Sequence, residues 1–157
     1  MDDNEMVAEL RLKAENIARA RVWMADMGVS LVPAFIADRF PDMEQKLHDK
    51  GELELGVLAV AADLIEGTYE GNPLDHAKLA AMLRESAEGE DDSALRLDSE
   101  ADDKKEEEEL RMLGMLDDEE EDEDSDSEEE LREFAASARE DAKFYREVAD
   151  RIEAAKQ

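Results

Sequence analysis

Between residues 87 and 130 this chain carries 24 acidic side chains against four basic ones, a net charge of −20. Such a charge does not specify a fold, but it sets long-range fields and the sign of any partner. A stretch of chain flanks it on either side. Those flanks are close to ordinary: residues 1–86 carry a net −8 and residues 131–157 are neutral, within a total of −28 over 157 residues. The charge is a block. Salt adaptation would spread Asp and Glu over the whole surface, so the unevenness argues against it.

The hydrophobic fraction, 42%, is enough for a small core, but only seven residues are aromatic. That core must come from Leu, Ala, Met, Val and Ile. With no cysteine, neither a disulfide framework nor a thiolate metal site can form. The start, Met1-Asp2-Asp3-Asn4-Glu5, is acidic where a signal peptide would be basic and then apolar. The longest apolar run, Val57 to Ala62, is far too short to span a bilayer. A soluble, cytoplasmic protein with no membrane partner is expected.

The patterning predicts an all-α fold: a small helical domain over 1–86, a strongly acidic and partly helical segment over 87–130, and a long amphipathic C-terminal helix over 131–157. In the first part, Met6, Leu10, Ile17, Met24 and Met27 recur at helical spacing with Ala14 and Ala20, and Gly28 is placed to stop that helix. Pro33 and Pro41 bound a short helix, and Asp42 to Lys50 ends at Gly51. Glu52–Glu66 is apolar nearly all round and reads as a buried helix ending at Gly67, although Leu53, Leu55 and Val57 alternate as a strand would. Asn72 and Pro73 start a helix carrying Leu74, Ala77, Ala81 and Met82 or Leu83 to about Ser86.

Residues 87–98 are small and acidic and read as a linker. Ser99 with Asp102 gives a capping pattern for a helix to Leu116, whose apolar cluster is Leu110, Met112, Leu113, Met115 and Leu116. Asp117 to Glu130 is almost purely acidic, and like charges at i,i+4 make it a candidate for disorder. In the last part Leu131, Ala138, Tyr145 and Ile152 repeat every seven residues. Phe134, Val148 and Ala155 supply most of a second stripe, which Asp141 interrupts. Packing on the amino-terminal domain is the first use of that stripe; a homodimer through the C-terminal helix is the second.

Catalytic patterns are missing. His48 and His76 stand apart from any plausible nucleophile, and no phosphate-binding loop, dinucleotide-binding glycine pattern, nucleophile elbow or zinc-protease motif occurs. No enzyme and no cofactor are expected. Asp122, Asp124, Asp126, Glu128, Glu130 and Glu133 fit the positions of a calcium loop, but Ser127 replaces its glycine and Glu129 its apolar residue. Weak, non-specific divalent binding suits such a run better than a built metal site. Ser125 and Ser127, followed by acids, would suit an acidophilic kinase.

The candidate partner-binding residues are therefore the acids themselves: Glu106, Glu107, Glu108, Glu109, Asp117, Asp118, Glu119, Glu120, Glu121, Asp122, Glu123, Asp124, Asp126, Glu128, Glu129 and Glu130. Were residues 87–130 one helix, they would span about 66 Å at ~1.5 Å per residue, a net charge every ~3.3 Å. One strand of B-DNA carries a phosphate every ~3.4 Å. Ordered carboxylates could then compete for a groove that binds phosphates through Lys and Arg.

One further stretch bears on the partner. Val32-Pro33-Ala34-Phe35-Ile36-Ala37-Asp38-Arg39-Phe40, with Met43 beyond, resembles a segment of phage early antirestriction proteins of the Ocr type. There a V-P step leads into a short helix with an aromatic, an A-D pair and a following Phe. Those proteins are acidic helical DNA mimics that occupy the DNA groove of restriction enzymes. The resemblance implies a phage-encoded inhibitor in the host cytoplasm, whose partner is a basic DNA-binding protein or enzyme and which binds no nucleic acid itself. It covers about twelve of 157 residues, and here the acids lie late in the sequence instead of over the whole surface. The second reading is an acidic chaperone or scaffold for basic proteins, histone-chaperone-like or a capsid assembly factor. In it, Leu110–Leu116 would be a docking stripe.

Overall fold

A computed structural model describes residues 1–27, 42–71, 75–115 and 126–155, without the side chains of 43, 44, 46–48 and 50–52. The fold is all-α, with four helices and no strand among the described residues: α1 (Asp3–Asp26), α2 (Met43–Glu66), α3 (His76–Met112) and α4 (Glu128–Ala154). The chain divides into two compact units, Met1–Ala80 with Asp150–Gln157, and Ala81–Ala149.

In the first unit, α1 starts at a reciprocal cap. The Asp2 carboxylate accepts from the Glu5 N–H at 2.8 Å, and the Glu5 carboxylate accepts from the Asp2 N–H at 3.0 Å. Two of the helix's orphan donors are thereby satisfied. Helix α1 buries Met6, Val7 and Leu10, α2 buries Leu58, Ala61 and Ala62, and the two helices pack together. Arg11 of α1 binds Glu66 and Asp63 near the end of α2. There Gly67 at φ 80° takes the left-handed conformation, and Thr68 N–H reaches the Asp63 carbonyl at 2.9 Å. A side chain at that position would resist the backbone the stop requires.

The second unit has a different interior. Ala87, Ala94 and Ala101 recur every seven residues on α3, and Ala135, Ala142 and Ala149 do so on α4; all are fully buried. Ala94, Ala135 and Ala138 form one apolar cluster, with Leu97 packed against it. Beside this seam run ion pairs: Asp91 with Arg146, Asp98 with Arg139, and Asp102 with Arg132 at 2.8 Å. As the acid's number rises the arginine's falls, so the helices are antiparallel.

An alanine seam repeating every seven residues is nearly indifferent to a slip of seven, and the charges oppose such a slip in one direction. It would move Arg146 from Asp91 to a place opposite Arg84.

Several expectations are corrected. Residues 87–98 are no linker but the middle of α3, because their small residues Ala87 and Ala94 face the seam. Ser99 accordingly lies mid-helix and starts nothing. Gly51 does not stop α2, which runs through it to Glu66, and Leu53 is exposed, not buried. Helix α3 ends at Met112 and not Leu116: Gly114 at φ 69° lets Met115 N–H reach the Leu110 carbonyl at 3.0 Å. Its buried stripe is Leu79, Ala80, Leu83 and Ala87, which leaves Ala77 and Ala81 outside. On α1, Ala20 and Met27 are exposed and Val7 joins the core. On α4, Leu131, Ala138, Tyr145, Ile152 and Val148 are buried as expected, whereas Phe134 and Ala155 are exposed. The second stripe is the alanine row one residue beyond Phe134. Gly28, Pro33, Pro41, Asn72, Pro73 and Leu74 lie outside the described residues.

Candidate partner-binding surface

Once the seam of α3 is fixed, so is its opposite face. Positions three or four apart share a helix face, and Glu85, Glu88, Asp92, Arg96, Glu100, Asp103, Glu106 and Glu107 follow that spacing away from the alanines. All eight are exposed. At the rise of an α-helix this ridge covers about 33 Å. It is acidic except at Arg96. Glu85, Glu88, Asp92, Glu100 and Asp103 were missed by the sequence reasoning. The signal was their three-four spacing, hidden by reading residues 87–98 as a linker.

The acids of α3 fall into two populations. Asp91, Asp98 and Asp102 are engaged by arginines of α4; Arg132 alone meets Asp102, Asp98 at 3.7 Å and Glu128 at 3.0 Å. Its charge is held more firmly in consequence, raised first by the Asp102 hydrogen bond and then by that of Glu128. These carboxylates hold the hairpin together.

Glu106, Glu107, Glu108 and Glu109 form the second population. They are exposed, on successive positions, in the last turns of α3. A helix C-terminus carries partial negative charge, which Glu109 in the last turn opposes, and Glu106 three residues back faces it with like charge. The unfavourable placement would be relieved by a cationic partner.

The other expected site residues separate from these. Glu128, Glu129 and Glu130 occupy the first turn of α4, where carboxylates favour the helix dipole. The Ser127 hydroxyl accepts from Glu130 N–H at 3.2 Å and so caps that helix. Glu128 and Glu130, with Glu133, lie on α4 and not on a calcium loop; the described residues hold no metal-binding cluster of acids or histidines. Asp126 offers its carbonyl to Lys104. Asp117, Asp118, Glu119, Glu120, Glu121, Asp122, Glu123 and Asp124 lie outside the described residues, as do Ser125 and Val32–Phe40.

The single rod over 87–130 is corrected as well, because the Gly114 turn ends α3. Residues 87–112 carry a net −8. Over them the helix rises about 39 Å, one net charge every ~5 Å. Three of its acids are moreover tied to arginines. This helix by itself is sparser than a phosphate strand.

His76 has a structural partner: its Nδ1 lies 3.2 Å from the Ile152 carbonyl. That oxygen can only accept, so Nδ1 carries the proton. Ile152 is among the last carbonyls of α4, which lack helical donors. The side chain of His48 lies outside the described residues. No helix among the described residues is long and apolar enough to cross a membrane. No protein-family model, curated protein or solved structure matches this chain.

Proposed function

We propose that this protein is an acidic inhibitor that occupies the nucleic-acid groove of a basic DNA-binding protein, acting as a DNA mimic without catalytic chemistry. The observation that carries this reading is the exposed acidic ridge of α3, Glu85 to Glu107, on the face opposite the alanine seam. Its carboxylates are fixed in spacing by a helix that another helix braces. Such an array meets a Lys- and Arg-lined groove with its backbone already ordered and draws it at long range. The lower linear density, relative to DNA, makes groove complementarity and steering its main contributions. A phage origin and action in a host cytoplasm follow from the resemblance in Val32–Phe40.

The second reading, an acidic chaperone or scaffold for basic proteins, is favoured by a different observation: Met112, Leu113 and Met115, three to six residues after Glu109, are exposed.

Capture from a bacterial lysate, washed at rising salt and challenged with duplex DNA, tests the two. The expected result is a nucleic-acid enzyme that duplex DNA displaces and that the variant E85Q/E88Q/D92N/E100Q/D103N fails to hold. Partners that duplex DNA does not displace, or capture unchanged in the variant, would overturn mimicry.

A further inference from the structure

Helix α3 ends in an apolar step that the fold leaves outside. Met112, Leu113 and Met115 are 84%, 73% and 71% exposed, the largest such group among the described residues of the second unit. The turn that presents them is built: Gly114 N–H donates to the Arg111 carbonyl at 3.0 Å and Met115 N–H to that of Leu110 at 3.0 Å. In sequence this step stands between two acidic runs, Glu106–Glu109 and Asp117–Asp124.

Charge decides what can cover it. A second copy of a chain at −28 would bring like charge against like. An anionic lipid surface or a nucleic acid would be repelled in the same way. A cationic segment is drawn in, and a purely cationic one would leave the methionines and leucine in water. The complementary shape is a helix with apolar residues along one stripe and Lys or Arg on both sides of it. Methionine suits such a role, since its unbranched, polarisable side chain repacks around different partners.

We propose that the tip of α3 is a docking site for a basic amphipathic helix of the partner. Met112, Leu113 and Met115 take its apolar stripe, and Glu106–Glu109 pair with its cations. This deepens the proposed function and rests on its reading of the acidic surface as the part that engages a basic protein.

The test is fluorescence anisotropy with the full chain and two labelled peptides of equal charge, an amphipathic Leu/Lys helix and an oligolysine. At physiological salt the amphipathic peptide is expected to bind at least about tenfold more tightly. The variant M112S/L113S/M115S should bring the two within about twofold while oligolysine binding stays unchanged. M112Q/L113Q/M115Q, which keeps helix propensity, should do the same, so that loss of helix at the tip is separated from loss of the apolar step. E106Q/E107Q/E108Q/E109Q should weaken both peptides. An equal affinity for the two peptides, or a preference that survives both triple variants, overturns the docking site. In that event, salt-sensitive oligolysine binding still supports the acidic surface. Failure of both peptides to bind overturns the docking site and the acidic-surface reading together.

Discussion

Asp91, Asp98 and Asp102 lie on the same helix as the four glutamates Glu106–Glu109, about one turn away at the nearest, and the two groups do opposite things. The first group faces arginines of α4, and its carboxylates flank the alanine seam with ion pairs. The second group stands in the closing turns of α3, exposed, with Glu109 against the dipole. Acidity in this protein is therefore two materials, one that assembles the hairpin and one that the hairpin displays. The distinction is set by what stands opposite and not by the residue type.

The comparison breaks most readily at the seam that brings the two helices close. Ala94 is fully buried in the cluster with Ala135 and Ala138 of α4. Ala94→Leu should cost about 1–3 kcal/mol, because such an interior has no room for the added atoms. Leu95 beside it is exposed. Leu95→Ala should change stability by no more than about 0.5 kcal/mol, the range of surface substitutions. Urea unfolding monitored by circular dichroism checks both. Equal effects would mean that the alanine rows do not form a close-packed seam.

Neutralising acids should then act with opposite sign in the two groups. Asp98→Asn removes a carboxylate that both Arg139 and Arg132 meet. It should lower stability by up to about 1 kcal/mol, the range of exposed pairs. Glu106→Gln should raise stability by about 0.5 kcal/mol, since the charged positions three and four residues from it, Asp102, Asp103 and Glu109, are all acidic. High salt should shrink both differences. Destabilisation by both variants would erase the division between assembling and displayed acids.

A more local effect is expected where α3 gives way to its tip. Gly114 sits at φ 69°. Gly114→Ala forces a side chain into that left-handed region at a cost of about 1 kcal/mol. The loss should be local and visible as faster amide exchange at Gly114 and Met115, whose N–H groups close the turn. Unchanged protection there would show that the turn is not what ends the helix.

Much of this was legible in the sequence, and the omissions have one cause. The heptad Leu131, Ala138, Tyr145 and Ile152 declared α4, and Gly67 declared the end of α2. Alanine was the blind spot. Ala87, Ala94 and Ala101 recur every seven residues, but alanine suits a core, a surface or a linker equally, so the row means nothing until a second row faces it. Phe134 drew the second stripe one residue away from Ala135 for the same reason. The acids of 87–98 then read as a solvated linker, although Asp91 and Asp98 are seven apart, as are Arg132, Arg139 and Arg146. That charge repeat was the available signal for the hairpin and, through it, for the ridge on the outer face.

The same anchoring device occurs in the first unit, and there it has a pH signature. The Arg11 guanidinium donates to Glu66 and holds its carboxyl below the usual range, chiefly through that hydrogen bond, with Thr68 adding a weaker one at 3.3 Å. Arg11 is itself held more firmly as a cation by the same bond. A carboxyl whose value is depressed on folding stabilises the folded state fully above its unfolded value, about 4.3, and loses that contribution as pH falls through the lowered folded one. Arg11→Met should therefore shift the Glu66 titration, followed by carbon-detected NMR, upward toward the ordinary carboxylate value. The variant's stability should also change less than the parent's as pH falls through that acid window. The effect is expected to be the smallest of these, because both side chains are well exposed and water screens the pair. A Glu66 titration that Arg11→Met leaves unmoved would make the contact a surface encounter, unlike the ion pairs of the α3–α4 hairpin.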